Sequence, residues 1–186
     1  IDAIAGKFQG EIPDDIRIIE GFFSADLAGE TLGQKKAKAI TSIAMFYDLE
    51  RPGEFVEAIA NVLAADGIWV MEQSYLPSML ETNAFDTICH EHLEYYALTQ
   101  IERLASEHGL RVFDVQKNDI NGGSCRPAVC HADAPYETTV AVEKFRAREV
   151  ELELNSAAPY GAFRASIEGI RDELKALIED EIAKGK

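Results

Sequence analysis

Short apolar runs alternate along this chain with stretches whose apolar residues recur every three or four positions. The runs at 16–19, 38–44, 67–72, 110–115 and 125–131 read as buried strands, each bounded by turn-forming or charged residues. Between the second and third runs, Phe55, Ile59, Val62 and Leu63 recur at helical spacing, with Pro52 at the start and Asp66-Gly67 as the stop, which predicts a crossover helix over 52–65. A second helix, over 98–108, places Ile101, Leu104 and Ala105 on one face and ends at Gly109. Helices and strands in this order predict an α/β fold with a mostly parallel sheet, and ligands in such sheets sit beyond the carboxyl ends of the strands.

The character of the chain changes after Pro135. Residues 137–154 and 160–184 are long, charged and helix-favouring, and the stretch 155–159, Asn-Ser-Ala-Ala-Pro, separates them. They are expected to form two helices outside the sheet, which divides the chain into a sheet-bearing part, 1–134, and a helical segment, 135–186.

Composition narrows the partners. Across 186 residues there are 33 acidic against 18 basic side chains, a net charge of -15, and no basic cluster to displace counterions from nucleic acid or to hold an anionic membrane. A small-molecule substrate is the expected partner; a sugar nucleotide remains compatible, since backbone amides and a few placed cations suffice for one diphosphate. No apolar run approaches the ~20 residues needed to span a bilayer. The three cysteines, Cys89, Cys125 and Cys130, form no CxxC pair, so a reducing cytoplasm is the natural setting. Oligomeric state is not encoded in these features.

Candidate chemistry concentrates in 86–96, Asp-Thr-Ile-Cys-His-Glu-His-Leu-Glu-Tyr-Tyr, the stretch densest in titratable groups. An imidazole with pKa near ~6.5 accepts a proton at neutral pH, and a carboxylate can orient it, so His92 with Glu91 is the favoured general-base pair; a polar surface loop is the alternative reading. His90, His92 and Cys89 lack the H-E-x-x-H spacing of a zinc site, and no metal is assigned. Met45 and Phe46 follow a strand, where they either flank an adenine ring or close the core. The turn 118–124, containing Asn121-Gly122-Gly123-Ser124, reads as a hairpin that also offers substrate contacts.

Taken together, Phe22-Phe23-Ser24, the stretch 40–49, Glu72-Gln73-Ser74-Tyr75, the D-T-I-x-H-E-H-L string at 86–93 and Asn121-Gly122-Gly123-Ser124 resemble the sugar C-methyltransferase family over the whole chain. The resemblance implies a Rossmann-like class I methyltransferase sheet, S-adenosylmethionine as methyl donor and a nucleotide-linked keto sugar as acceptor. It implies that Asp2, at the end of the second strand of that fold, bonds the cofactor ribose, with Phe23, Ser24, Met45 and Phe46 also on the cofactor side. It places Asp48, Glu72, Tyr75, Cys89 and Asn121 on the substrate side and His92, Glu91 and His90 at the chemistry, where a proton next to the ketone is removed and the resulting enolate carbon takes the methyl group. Two positions depart from the family pattern: Cys89 stands where the sugar enzymes carry a tyrosine, and Asp48 near where they carry a histidine. The resemblance further implies that the amino-terminal zinc module, the first strand with its glycine-rich cofactor loop and the carboxy-terminal half-domain lie outside this sequence, so weak cofactor binding is expected of the chain alone. Two other readings stay open: a noncatalytic Rossmann-like scaffold, and an O- or N-methyltransferase, which would not depend on His92 as a base.

Overall fold

In a computed structural model describing residues 1–3, 6, 7, 13 and 15–185, four strands form one sheet. They are β1 (Ala37–Ile43), β2 (Leu63–Ser74), β3 (Leu110–Asn118) and β4 (Ser124–His131), in the spatial order β1-β2-β4-β3. β1 and β2 are parallel, and β4 runs antiparallel to both β2 and β3. β1, β2 and β3 therefore share one direction, but only one of the three pairings is parallel and the sheet is mixed, because a short hairpin rather than a crossover joins β4 to β3. That hairpin pairs Asn118 with Ser124 around a 3₁₀ turn, Ile120–Gly122, as the glycine-containing turn predicts.

The helices are α1 (Ala25–Leu32), α2 (Pro52–Val62), α3 (Leu76–Thr82), α4 (Leu98–Glu107), α5 (Val140–Glu151) and α6 (Ala158–Ala183). Pro52 opens α2 as anticipated, but the helix stops at Val62 and Leu63 already belongs to β2, where it is buried and pairs with Ala37. Spacing alone predicts a helix to 65, because Leu63 fits either period. α1 and α3 were not foreseen: each is a short helix, and Ser24 caps α1 by accepting from Leu27 N.

One expectation needs correction. Among the described residues, 16–19 form no strand; Asp2 and Glu20 make a single parallel bridge beside them, through Asp2 N to Ile19 O and Gly21 N to Asp2 O. A four-residue apolar run becomes a strand only where a neighbour pairs with it along its length. The two helices expected outside the sheet after Pro135 are α5 and α6, and α5 packs on β3 and α4, burying Val142 and Glu149. α6 has no buried residue and carries exposed Ile170, Leu174, Leu177, Ile178 and Ile182.

The core lies between β2, α2 and α4. Phe46, Trp69, Met71, Ile59, Leu98 and Ile101 are enclosed there, with the Phe46 ring 5.9 Å from those of Phe55 and Trp69 and 5.2 Å from that of Tyr96. No helix among the described residues is long and apolar enough to cross a membrane.

Candidate functional site

The residues after β1 turn sharply. Ala44 adopts a left-handed conformation with φ 51°, its N–H bonds the Glu72 carbonyl, and a 3₁₀ turn, Phe46–Asp48, follows. This turn receives the histidine-bearing segment: the Tyr47 carbonyl accepts from both Leu93 N (3.0 Å) and Glu94 N (3.2 Å). The amide hydrogen bonds bring the His92 ring against that of Tyr47, centroids 4.3 Å apart and planes inclined by 48°.

The pairing of histidine with glutamate differs from the one favoured on sequence. His90 Nε2 lies 3.9 Å from Glu91 Oε1, with side chains 92% and 76% exposed, while His92 turns inward to Tyr47 and its N–H bonds Cys89 O. Cys89 to His92 form a turn closed by that bond, and within it Glu91 lies beside His90 while the His92 ring packs on Tyr47. The carboxylate that senses His92 is Asp48: partial burial, then the Glu91 charge, raises its pKa, and His92 opposes the rise more strongly than Glu91 adds to it. Burial, then Asp48 and Cys89, push the Tyr47 hydroxyl up, which keeps it protonated. Cys89 is exposed beside Tyr95, whose hydroxyl reaches Thr87 O at 3.4 Å.

The other predicted residues fall into separate places. Phe23, Ser24 and Asp48 line one open groove of about 910 Å³ together with Arg51, Glu54 and Phe55, and the Phe23 ring stands 5.0 Å from that of Phe55. Phe46, 1% exposed, closes the core, the second of the two roles the sequence allowed it; Met45 packs at its edge. Asp2 sits at the isolated bridge next to Glu20. Asn121 is exposed at the hairpin tip, in the left-handed conformation that asparagine tolerates.

Glu72 and Tyr75 are drawn into two distinct networks. Glu72 Oε2 accepts from Arg126 Nη2 (2.6 Å), Arg126 Nε (2.9 Å) and Asn118 Nδ2 (2.9 Å), so β2, β4 and β3 are linked through one carboxylate. Tyr75 donates to Glu149 of α5 at 2.8 Å. Sequence reasoning missed Arg126, Asn118, Tyr47 and Glu149. The alternation within strands marks Arg126 as an outward position, yet nothing local connects it to a residue 54 positions away.

With this geometry in view, the relatives become informative. Residues 119–186 match the model of the C-methyltransferase C-terminal domain. The C-methyltransferase NovU of Streptomyces niveus is 35% identical over 133 residues, covering 72% of this chain and 32% of its own length. The chain thus spans about a third of that curated relative. Among solved structures, one chain of the complex between the Haloferax volcanii Trm112 methyltransferase activator and a methyltransferase superposes with a TM-score of 0.53 at 13% identity, over 69% of this chain and 67% of that one. LepI in complex with SAM superposes with a TM-score of 0.51 at 15% identity, over 70% of this chain and 35% of that one. These two likenesses concern the fold, which is the α/β sheet of class I methyltransferases. By sequence kinship, residues 119–186 belong with the C-methyltransferase C-terminal domain, and 133 residues of the chain are homologous to a curated C-methyltransferase.

Proposed function

We propose that this chain is part of an S-adenosylmethionine-dependent C-methyltransferase that methylates a carbon next to a ketone in a nucleotide-linked sugar, with residues 1–134 carrying the sheet and 135–186 a helical extension. The observation that supports this reading best is the seating of His92 on Tyr47 at the carboxyl end of β1, the end at which ligands bind in such sheets.

S-adenosylmethionine would supply the electrophilic methyl carbon. The residues available to it include Asp2, exposed at the bridge to Glu20 and suited by charge and reach to a ribose diol, and Met45, half-buried after β1. Phe23 and Ser24 line the groove shared with Asp48, whereas Phe46 is enclosed and offers no surface to a ligand.

A proton next to a ketone is too weakly acidic to leave unaided. A neutral imidazole takes it at physiological pH, and hydrogen-bond donors then steady the enolate oxygen. In this reading His92 accepts the proton, Asp48 favours the imidazolium that forms, and the protonated Tyr47 and Tyr95 hydroxyls are the donors within the same neighbourhood. Glu91 and His90 lie on the outer side of the segment with the exposed Cys89, Asn121 stands at the tip of the β3–β4 hairpin, and Glu72 and Tyr75 frame the end of β2.

The test is incubation with S-adenosylmethionine labelled at the methyl carbon and a nucleotide-linked keto sugar, followed by NMR of the product. Label on carbon, absent with His92→Asn, is the expected result. Label on oxygen or nitrogen, or carbon label that survives His92→Asn, would overturn the mechanism.

A further inference from the structure

We infer that Glu149 is a positioning residue for the histidine-bearing segment: one buried carboxylate, supplied by α5, fastens both ends of the excursion that carries His92.

The chain leaves β2 after Ser74 and enters α4 at Leu98, and the intervening 76–97 includes α3, the 3₁₀ turn Phe85–Thr87 and Cys89-His90-Glu91-His92-Leu93. The two ends meet, since Leu76 N donates to Tyr96 O at 2.9 Å. Glu149, 4% exposed, stands at that meeting point. Its Oε1 accepts from Tyr75 Oη at 2.8 Å and from Leu98 N at 2.6 Å. Its Oε2 accepts from Thr99 N at 3.0 Å and from Thr99 Oγ1 at 2.6 Å. Each oxygen therefore holds two donors, and the donors come from both ends of the excursion.

The local sequence explains why a distant carboxylate is recruited. The first amides of a helix lack intrahelical partners, and Ser, Thr, Asp or Asn ordinarily supplies one from the N-cap position. α4 begins after Ala97, which has no side-chain oxygen, so Leu98 N and Thr99 N turn to Glu149, whose negative charge also suits the positive end of the helix dipole. Burial, then Glu149 itself, push the Tyr75 hydroxyl well above its ordinary pKa, so it remains a donor throughout the physiological range. Burying a carboxylate is costly unless its lone pairs are filled, and what four directed charge-assisted bonds contribute over an apolar side chain of equal size is geometric definition. The structure assigns that definition to the segment bearing His92, whose other tethers include the amide bonds from Leu93 and Glu94 to Tyr47 O and the ion pair of Glu81 with Arg148 of α5. Its importance for turnover rests on the proposed role of His92.

Amide hydrogen exchange on the whole chain tests the inference without reference to methyl transfer. In Glu149→Gln an amide donor replaces one acceptor and faces two donors. Residues 84–97 and the first turn of α4 are then expected to exchange at least about tenfold faster, while β1–β4 keep their protection. Tyr75→Phe, which removes one of the four donors, should accelerate the same residues less. Unchanged exchange over 84–97, or equal acceleration of loop and sheet, would overturn the assignment. Should Glu149→Gln fail to fold, Tyr75→Phe decides: local acceleration supports it and none overturns it. Failure of His92 as a base would show itself separately, as activity retained in His92→Asn with an unaltered exchange pattern.

Discussion

The ring of His92 rests on that of Tyr47 with centroids 4.3 Å apart, and the backbone carbonyl of the same tyrosine accepts the two amides that follow the histidine. One residue thus fixes both the path of the segment and the attitude of its imidazole. In the proposed role of His92 as base its lone pair must be aimed, and the contact with Tyr47 would supply that aim without consuming a ring nitrogen.

Replacing His92 by Asn is therefore expected to lower methyl transfer by about 10²- to 10⁴-fold, the usual worth of a general base. Because the His92 ring is itself only half-buried, at the edge of the buried Tyr47, the urea midpoint should change little. Steady-state rates and denaturation curves on the same preparations check both statements, and a large loss of stability would mean that the ring is structural.

Asp48 makes stability depend on pH in a defined direction. Its pKa is raised chiefly by burial, so below the ordinary carboxylate range it is protonated in both folded and unfolded chains and contributes nothing. As pH rises through the raised folded value, the unfolded chain is already ionised while the folded one resists, and the folded state loses stability. Asp48→Asn should accordingly be more stable than the parent at pH 7 and equal to it near pH 3. Urea titrations across that range would show the two curves meeting near pH 3 and diverging as pH rises, and a constant difference would remove Asp48 as the cause.

Gly123 has φ +120°, and a Cβ built there would lie 2.5 Å from the Cβ of Ser78 in α3. Gly123→Ala combines a backbone conformation that side chains rarely adopt with a steric overlap, each costing about 1–3 kcal/mol. Adding Ser78→Gly should recover the steric share alone. Equal stabilities of the single and double variants would show that backbone strain accounts for the whole effect.

The thiols should react in two classes. Cys89 is exposed, whereas Cys125 and Cys130 are buried, with burial and then Glu149 pushing the Cys125 thiol up to about 12. At pH 8 a thiol reagent is expected to modify one cysteine quickly in the native chain and all three in urea, with Cys89→Ser abolishing the fast phase. A second fast thiol in the native chain would contradict the packing of β4.

Much of the architecture was written in local pattern. The spacing of Phe55, Ile59 and Val62 defined α2, Pro52 marked its start, the apolar runs marked β1 to β4, and the glycine-containing turn marked the β3–β4 hairpin. Periodicity is legible because it needs only neighbours three, four or two positions apart. Where two periods compete, as at Leu63, the pattern fails, since pairing with Ala37 rather than local spacing decides the outcome.

The crowding of titratable groups between Asp86 and Tyr96 was likewise set by the sequence, as was the kinship of 119–186. Which of those groups meet was not. That His92 faces Tyr47 while Glu91 faces His90, that Glu72 is held by Arg126 and Asn118, and that Tyr75 finds Glu149 74 residues later depend on strand order and on where α5 packs. A buried polar side chain takes whichever partner the assembled sheet brings within about 3 Å, and no local signal along the chain encodes that choice.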